Sequence, residues 1–367
     1  MSSNPVTLPK ILHIGSRHYR INTATNSASL PIPVGHLEET ISAADEQFQP
    51  DEPLDVEIVE TENNEFVAFI TIPAIFHKFL IGPHRSRLRQ LERDFSCKIS
   101  FSSVGLECPE LTITGSSRKG VRDACIRLRW LETNARSHFR PTHFICLPAT
   151  NPQIQETFES FRTSVLASAE NASGTDYQGV RASIFKSPFS LHFTVIPLLL
   201  ADSSDLDKAV NLIDEFLRSD DGVETFSGGP FQVTIKGLEY MNDDPTAVNI
   251  LYAKIAPSPE KERLQRAADR LSKLFVEHDL AGGRPSAQTD TVLLHMTLMN
   301  TRYDSTSPEP FSVVGLLRDY GEFVFGEDVT LDELHLSMMK RQSHEEFFTK
   351  CCCIKLNTSG PPSLLIP

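Results

Sequence analysis

Two stretches of this chain repeat one pattern, and the repeat limits what the chain can fold into. Phe189-Ser190-Leu191-His192-Phe193-Thr194-Val195-Ile196 and Thr291-Val292-Leu293-Leu294-His295-Met296-Thr297-Leu298-Met299 both read apolar–His–apolar–Thr–apolar. Side chains at i and i+2 of a β-strand share a face, and immediate neighbours alternate. His192 and Thr194 therefore point one way, with Leu191, Phe193 and Val195 pointing the other. The second copy sets His295 and Thr297 against Leu294, Met296 and Leu298. Each strand needs one buried face and one polar face. The copies lie 103 residues apart, from His192 to His295, and each follows a helical stretch. Two similar lobes packed about a pseudo-twofold axis bring both polar faces into one groove.

Such a groove holds two imidazoles and two hydroxyls. One neutral imidazole removes a proton from an attacking water or hydroxyl, and the other, as imidazolium, protonates the leaving oxygen. Threonine hydroxyls donate to phosphoryl oxygens and orient them. The chemistry that fits is cleavage of a phosphodiester or cyclic phosphate, with His192, Thr194, His295 and Thr297 as the catalytic set. No clustered carboxylates point to a metal, and no cofactor is expected. A single His-x-Thr arises easily by chance; two in matching apolar frames carry the inference.

The rest of the chain divides by pattern. Residues 1–63 are rich in Ser, Thr, Asn, Pro and acids, and the run Glu38–Asp55 reads as an acidic, flexible linker. Within it, Ile11–Ile21 reads as a short strand or a docking segment. Residues 64–140 form a second unit, with a strand at Phe66–Ile72, a short helix at Pro73–Leu80 and a break at Gly82-Pro83. A helix capped by Ser86, strands at Lys98–Ser102 and Leu111–Thr114, and a long helix at Ser117–Arg136 complete it. Residues 141–367 alternate strands and helices with a hairpin at Asn242–Pro245, which reads as α+β.

Charge separates the units. The whole chain carries −13, which argues against a general nucleic-acid binder, yet residues 81–140 hold twelve Lys/Arg against six acids. The 40% hydrophobic and 23% charged content is that of an ordinary globular protein, and no apolar run approaches the ~18 residues of a membrane span. The first ten residues lack a basic-then-apolar export pattern, and the seven cysteines include no CxxC pair. A reducing compartment and no zinc site are expected, the cysteines being small buried hydrophobes. Consecutive Cys351, Cys352 and Cys353 alternate faces on a strand and cannot converge on one ion.

The β-α-α-β-β-α order, with a glycine turn between the first two helices, resembles a type I KH domain. Gly82-Pro83-His84-Arg85 stands where that family carries a GxxG loop. The resemblance implies single-stranded nucleic acid lying against Gly82, Pro83, His84, Arg85 and Arg87. Arg85 replaces the second glycine, so its side chain either blocks the backbone's approach or takes a phosphate contact itself.

Leu191-His192-Phe193-Thr194 and Leu294-His295-Met296-Thr297 resemble the signature of the 2H phosphoesterase superfamily. The implied fold is α+β: a type I KH domain followed by a two-lobed 2H phosphoesterase (LigT-like) domain with antiparallel sheets. Tyr240, Tyr252 and Arg302 are further groove candidates. A KH domain directly before a 2H domain resembles the KH–2H subunits of a transcription-coactivator complex. Gly237–Pro245, Leu251–Lys254, Arg17–Arg20 and His295–Asn300 carry this resemblance. It implies a nuclear protein linked to alkylation-damage repair, monomeric within a hetero-complex that contains a large helicase, with no membrane contact. The activity implied is metal-independent hydrolysis of an RNA or nucleotide phosphodiester. The alternative is a catalytically silent RNA- or nucleotide-binding scaffold.

Overall fold

The computed structural model describes residues 10–14, 17–21, 56–101, 110–136, 139–282 and 291–366, the first two stretches by their backbone. The expected segment near 11–21 is a hairpin: β1 (Lys10–Ile14) pairs antiparallel with β2 (Arg17–Ile21). The acidic run Glu38–Asp55 lies outside the described residues.

The first unit runs β3 (Ile58–Glu60), β4 (Phe66–Thr71), α1 (Ala74–Ile81), α2 (Ser86–Asp94), β5 (Cys97–Phe101), β6 (Glu110–Gly115) and α3 (Arg118–Arg136). Its strands form an antiparallel sheet in the order β3-β4-β6-β5. This is the β-α-α-β-β-α order read from sequence, with β3 added at one edge. On α3, Val121, Ala124, Cys125, Leu128, Leu131 and Ala135 recur at helical spacing and are all buried, and they close the core over the sheet.

The second unit begins with β7 (His143–Pro148), α4 (Pro152–Asn171), β8 (His192–Leu198), α5 (Ser203–Arg218), α6 (Asp220–Thr225), β9 (Phe231–Met241) and β10 (Ile250–Ile255). It continues with α7 (Pro259–Glu277), β11 (Met296–Asn300), α8 (Val314–Tyr320), β12 (Val324–Leu331), β13 (Glu333–Met338), β14 (Lys350–Lys355) and β15 (Ser363–Leu365). Local sequence sets the long helices. Asn151, Asp202 and Ser258 cap α4, α5 and α7 by accepting from backbone N–H groups three residues on, and α7 follows its cap with Pro259 and two glutamates in the first turn.

The nine strands lie in one antiparallel sheet, in the order β12-β9-β10-β11-β8-β7-β13-β14-β15. Two lobes are evident in that order. One is β7, β8, β13, β14 and β15; the other is β9 to β12. They meet where β8 pairs with β11 through Phe193 and Met296. Both of those side chains are fully buried in a core shared by both lobes.

The two units pack on each other. Leu199, just after β8, is buried in the core of the first unit, with Ala201 against it. Phe139 sets its ring edge-on to Phe76 at 4.9 Å. Arg136, in the last turn of α3, donates to Asp205 of α5 at 2.8 Å and to Glu132 at 3.4 Å.

Candidate active site

The site is built by register. Phe193 and Met296 stand directly opposite each other. In an antiparallel pair this sets His192 opposite Thr297, and Thr194 opposite His295. Opposed residues share a face, so all four polar side chains lie on the side away from the buried Phe193 and Met296. The pairing extends outward: Thr297 faces Tyr252 of β10, Thr194 faces Cys146 of β7, and His192 faces Pro148. The pseudo-twofold expected from sequence is thus a local twofold between Phe193 and Met296. Each imidazole sits across from the other motif's hydroxyl. The strands are shorter than the sequence pattern suggests. His192 is the first residue of β8, and His295 immediately precedes β11.

The twofold extends to hydrogen bonds. His192 Nδ1 lies 2.7 Å from the Ser190 carbonyl and His295 Nδ1 lies 2.7 Å from the Leu293 carbonyl, each two residues back. A carbonyl only accepts, so Nδ1 of each ring carries the proton. In the neutral ring that leaves Nε2 as an unprotonated acceptor. Burial holds both imidazoles below their ordinary value, His192 far below, and the positive charge of Lys186 adds to this at each.

The surroundings of the rings differ. His192 is enclosed by aromatic rings, with Phe144 at 5.1 Å, Phe348 at 5.3 Å and Phe347 at 6.2 Å between centroids. His295 has Tyr252 edge-on at 5.2 Å. Burial, with Glu239 nearby, pushes the Tyr252 hydroxyl up to about 12, so it is a proton-bearing donor at neutral pH.

Three sequence candidates are placed differently. Tyr240 pairs with Leu251, one residue out of phase with Tyr252, and is buried in the hydrophobic core instead of lining the groove. The sequence held the signal: Tyr240 shares a face with Leu238, while Glu239 takes the opposite face. Arg302 lies in a short turn after β11 and is exposed. Its neighbour Tyr303, with part of its ring open to solvent, is the residue that reaches the groove, its hydroxyl accepting from Lys186 Nζ at 3.3 Å. Arg87 is half-buried, donates to the Phe79 carbonyl and stacks on the Phe79 ring at 4.4 Å. It braces α1 against α2 and is not a free phosphate ligand.

The glycine loop is otherwise as the sequence places it, with Pro83, His84 and Arg85 exposed. Gly82 takes φ +70°, ψ 172°, and a Cβ there would meet the Arg87 Cβ at 3.0 Å. His84 and Arg85 both have left-handed backbones, at φ 49° and 61°. Arg85 therefore adopts at modest cost the conformation a second glycine would take freely, and its side chain points to solvent without closing the loop.

Lys186 went unnoticed in the sequence because it belongs to no motif. It precedes the turn into β8, its backbone N–H donates to Leu298 at 2.9 Å, and its charge reaches both histidines. Burial, and then Arg341, push its ammonium down to about 8. Asp304, the residue after Tyr303, anchors the turn that carries it. That carboxylate accepts from Arg181 and Ser183, both at 2.8 Å, and lies far below the usual carboxylate range on account of the bond from Arg181.

His335, which has no partner motif in sequence, lies two strands from Thr194 on the same row, through Cys146. Its Nε2 bonds Glu333 at 2.7 Å, and its Nδ1 is buried without a partner among the described residues. With Cys353 these two side chains bring three potential ligand atoms within 4.8 Å of one another. Lys355, 3.1 Å from Glu333, and Lys350, 3.9 Å from it, place two positive charges beside the cluster, which suits a hydrogen-bonded network and not a cation. Only Cys353 of the three consecutive cysteines joins it. A cavity of about 280 Å³ adjoins this row, lined by Pro148, Thr150, Asn151, Thr330, Glu333 and His335 among others.

With the geometry in view, the relatives are informative. A family model of the AKAP7 2′5′ RNA ligase-like domain matches residues 141–356. The chain belongs to this family. A KH-domain model matches residues 67–129, so a KH domain precedes a 2H phosphoesterase-like domain, as the sequence motifs implied. The chain is similar to the Mus musculus protein activating signal cointegrator 1 complex subunit 1, with 27% identity over 352 residues, 90% of this chain and 94% of that protein. A crystal structure of TT0787 of Thermus thermophilus aligns at TM-score 0.31 and 13% identity, over 61% of this chain and 94% of that one. An overlap of that quality decides nothing about the site. Among the described residues no helix is long and apolar enough to cross a membrane.

Proposed function

We propose that this chain is a 2H-type phosphodiesterase of RNA or nucleotides that needs no metal, with its KH domain presenting a single strand to the groove. The observation that carries this is the register of β8 on β11, which sets two imidazoles and two hydroxyls on one face with each Nδ1 tied to a carbonyl. His192, the more enclosed and the more readily kept neutral, is the base: its Nε2 takes the proton of the attacking water or ribose hydroxyl. His295, beside Tyr252, is the acid: its Nε2 proton passes to the leaving oxygen as the phosphorus–oxygen bond breaks. Thr194 and Thr297 donate to the non-bridging oxygens, where charge grows in the transition state. Each positioned proton transfer contributes roughly 10²–10⁴-fold.

The test is incubation of full-length protein with RNA oligomers and 2′,3′-cyclic nucleotides, with and without chelator. Turnover that survives chelator and falls at least ~10²-fold in His192→Ala and in His295→Ala supports the reading. Full activity in both variants overturns it. Nucleotide retained without turnover, and weakened in Thr194→Ala and Thr297→Ala, returns the protein to the silent-scaffold alternative.

The same reading extends to the cell. The chain is placed in the nucleus as a monomeric subunit of the activating signal cointegrator complex, bound to its helicase subunit and acting in alkylation-damage repair. The similarity over nine-tenths of the chain to a protein named as a subunit of that complex supports membership in the complex; the nucleus, the helicase contact and the repair role are proposed together with it. Recovery of the helicase subunit with tagged protein from nuclear extract is the expected result, and its absence counts against it.

A further inference from the structure

Half-buried cations are normally paired, because an uncompensated charge away from water is costly. Beside the histidine pair are two that are not. Lys186 and Arg341 are both half-buried, Arg341 Nη2 lies 3.5 Å from the hydroxyl of Ser187, the residue next to Lys186, and neither cation has a carboxylate partner among the described residues. Lys186 Nζ instead donates to the hydroxyl of Tyr303, a neutral group. Burial pushes that hydroxyl up to about 12, so it bears its proton and supplies no countercharge.

Arg341 is held in place. Its Nε donates to the Glu346 carbonyl at 3.1 Å, its Nη2 donates to the His344 carbonyl, and its guanidinium lies 5.8 Å from the Phe348 ring. Ser187, next to Lys186, donates to the same His344 carbonyl at 2.9 Å and so ties this loop to the segment leading into β8. Two fixed cations and a hydroxyl donor thus converge at the edge of a groove whose floor already offers two threonine hydroxyls and two imidazoles. One scissile phosphodiester carries a single negative charge, and the groove floor suffices to receive it.

We propose that Lys186, Arg341 and Tyr303 form a second anion site, which takes a phosphate flanking the scissile one, so that the ligand preferred by this groove is a nucleotide or strand end bearing at least two phosphates. This rests on reading the groove as a phosphate-ester site, but not on turnover. The ammonium and guanidinium act as charge-assisted donors to the flanking phosphate, and the Tyr303 hydroxyl turns its proton from solvent to a phosphate oxygen. A ligand with one phosphate leaves the two cations uncompensated and forgoes this gain.

Isothermal titration of the full-length protein with adenosine 3′,5′-bisphosphate, adenosine 5′-monophosphate and adenosine 3′-monophosphate tests the proposal. The bisphosphate is expected to bind about tenfold or more tightly than either monophosphate, at fixed and moderate salt. Lys186→Met and Arg341→Met should each erase most of that preference, lowering affinity for the bisphosphate by a larger factor than affinity for either monophosphate. Lys186→Arg should keep the preference, which guards against misreading a Lys186→Met variant that folds poorly. His192→Ala and His295→Ala should retain the preference whatever they do to turnover. Equal affinity for mono- and bisphosphates in the unmodified protein overturns the proposal, as does a preference that survives in both Lys186→Met and Arg341→Met. If no RNA or cyclic nucleotide is turned over, but the preference and its loss in Lys186→Met are both seen, the phosphodiesterase reading fails and the anion site stands.

Discussion

Asp205 carries the polar connection between the KH domain and the phosphoesterase-like domain, and its removal has a calculable consequence. Its carboxylate accepts from Arg136 Nη1 at 2.8 Å and Nη2 at 3.5 Å, and from the backbone N–H of Ala201 at 2.9 Å. The Arg136 and Asp205 side chains are 20% and 14% exposed, so water replaces little of what is lost. Asp205→Ala deletes two charge-assisted bonds and strands the Ala201 N–H beside the packed Leu199. Arg136 keeps Glu132 at 3.4 Å, which holds the penalty to the lower end of the range for breaking a buried pair. The expected loss is about 3 kcal/mol of stability, about 4 °C in Tm for a chain of this length. Urea unfolding of full-length protein measures it. A cycle with Arg136→Met and the double variant should give a coupling of about 1–2 kcal/mol. A loss below ~0.5 kcal/mol, the scale of a solvated ion pair, refutes the reasoning and makes the contact incidental. A second readout follows from the interface: RNA affinity measured on the whole chain should weaken in Asp205→Ala, while adenosine bisphosphate, which needs only the groove, should bind unchanged.

Other consequences are narrower. Both site imidazoles lie below the ordinary value of about 6.5, with His192 the lower. The profile of kcat/KM against pH should therefore rise as His192 loses its proton and fall as His295 loses its own, with its centre below about 6.5. Lys186→Met removes a positive charge that lowers both rings and should carry the bell to higher pH; an unmoved bell contradicts the assignment. Stability should follow the same groups. His143, His192, His295 and His335 all have lowered folded-state values, so the unfolded chain binds more protons. Their contribution is complete above about pH 6.5 and is lost as pH falls below it. Denaturant midpoints from pH 7.5 to 5 should decline, and His335→Gln should flatten the slope; a flat wild-type curve goes against buried neutral rings. In the KH loop, Gly82→Ala forces a Cβ against Arg87 at positive φ and should cost about 1–3 kcal/mol. Arg85→Gly should leave stability within about 1 kcal/mol and weaken RNA binding; equal or tighter binding removes Arg85 as a phosphate contact.

Much of the site was legible in the chain because strand geometry has a period of two. Once His192 and Thr194 are known to flank Phe193, no packing of a half-buried strand puts them on opposite faces. The order of the KH elements was legible for a similar reason, since the apolar spacing of α3 and the breaks at Gly82-Pro83 and Gly115 act locally. Tyr240 shows the limit: its neighbours Leu238 and Glu239 declared its face, but its nearness to Tyr252 along a hairpin suggested the groove. Arg302 and Tyr303 show another, because a turn after a strand decides which of two adjacent side chains points toward the groove, and alternation ends where the strand does.

Taken alone, then, the chain determined two polar strand faces, a KH-like unit ahead of them and a basic segment in an acidic protein. Tertiary structure decided the register that sets His192 against Thr297 and Thr194 against His295. It also brought Lys186 and Arg341, 155 positions apart by their numbering, to one edge of the groove. The physical reason is that face is a local property of the backbone, whereas register and the company of a charged side chain are fixed by a core whose members, such as Phe193 and Met296, lie far apart in the chain and interlock only once both lobes have folded.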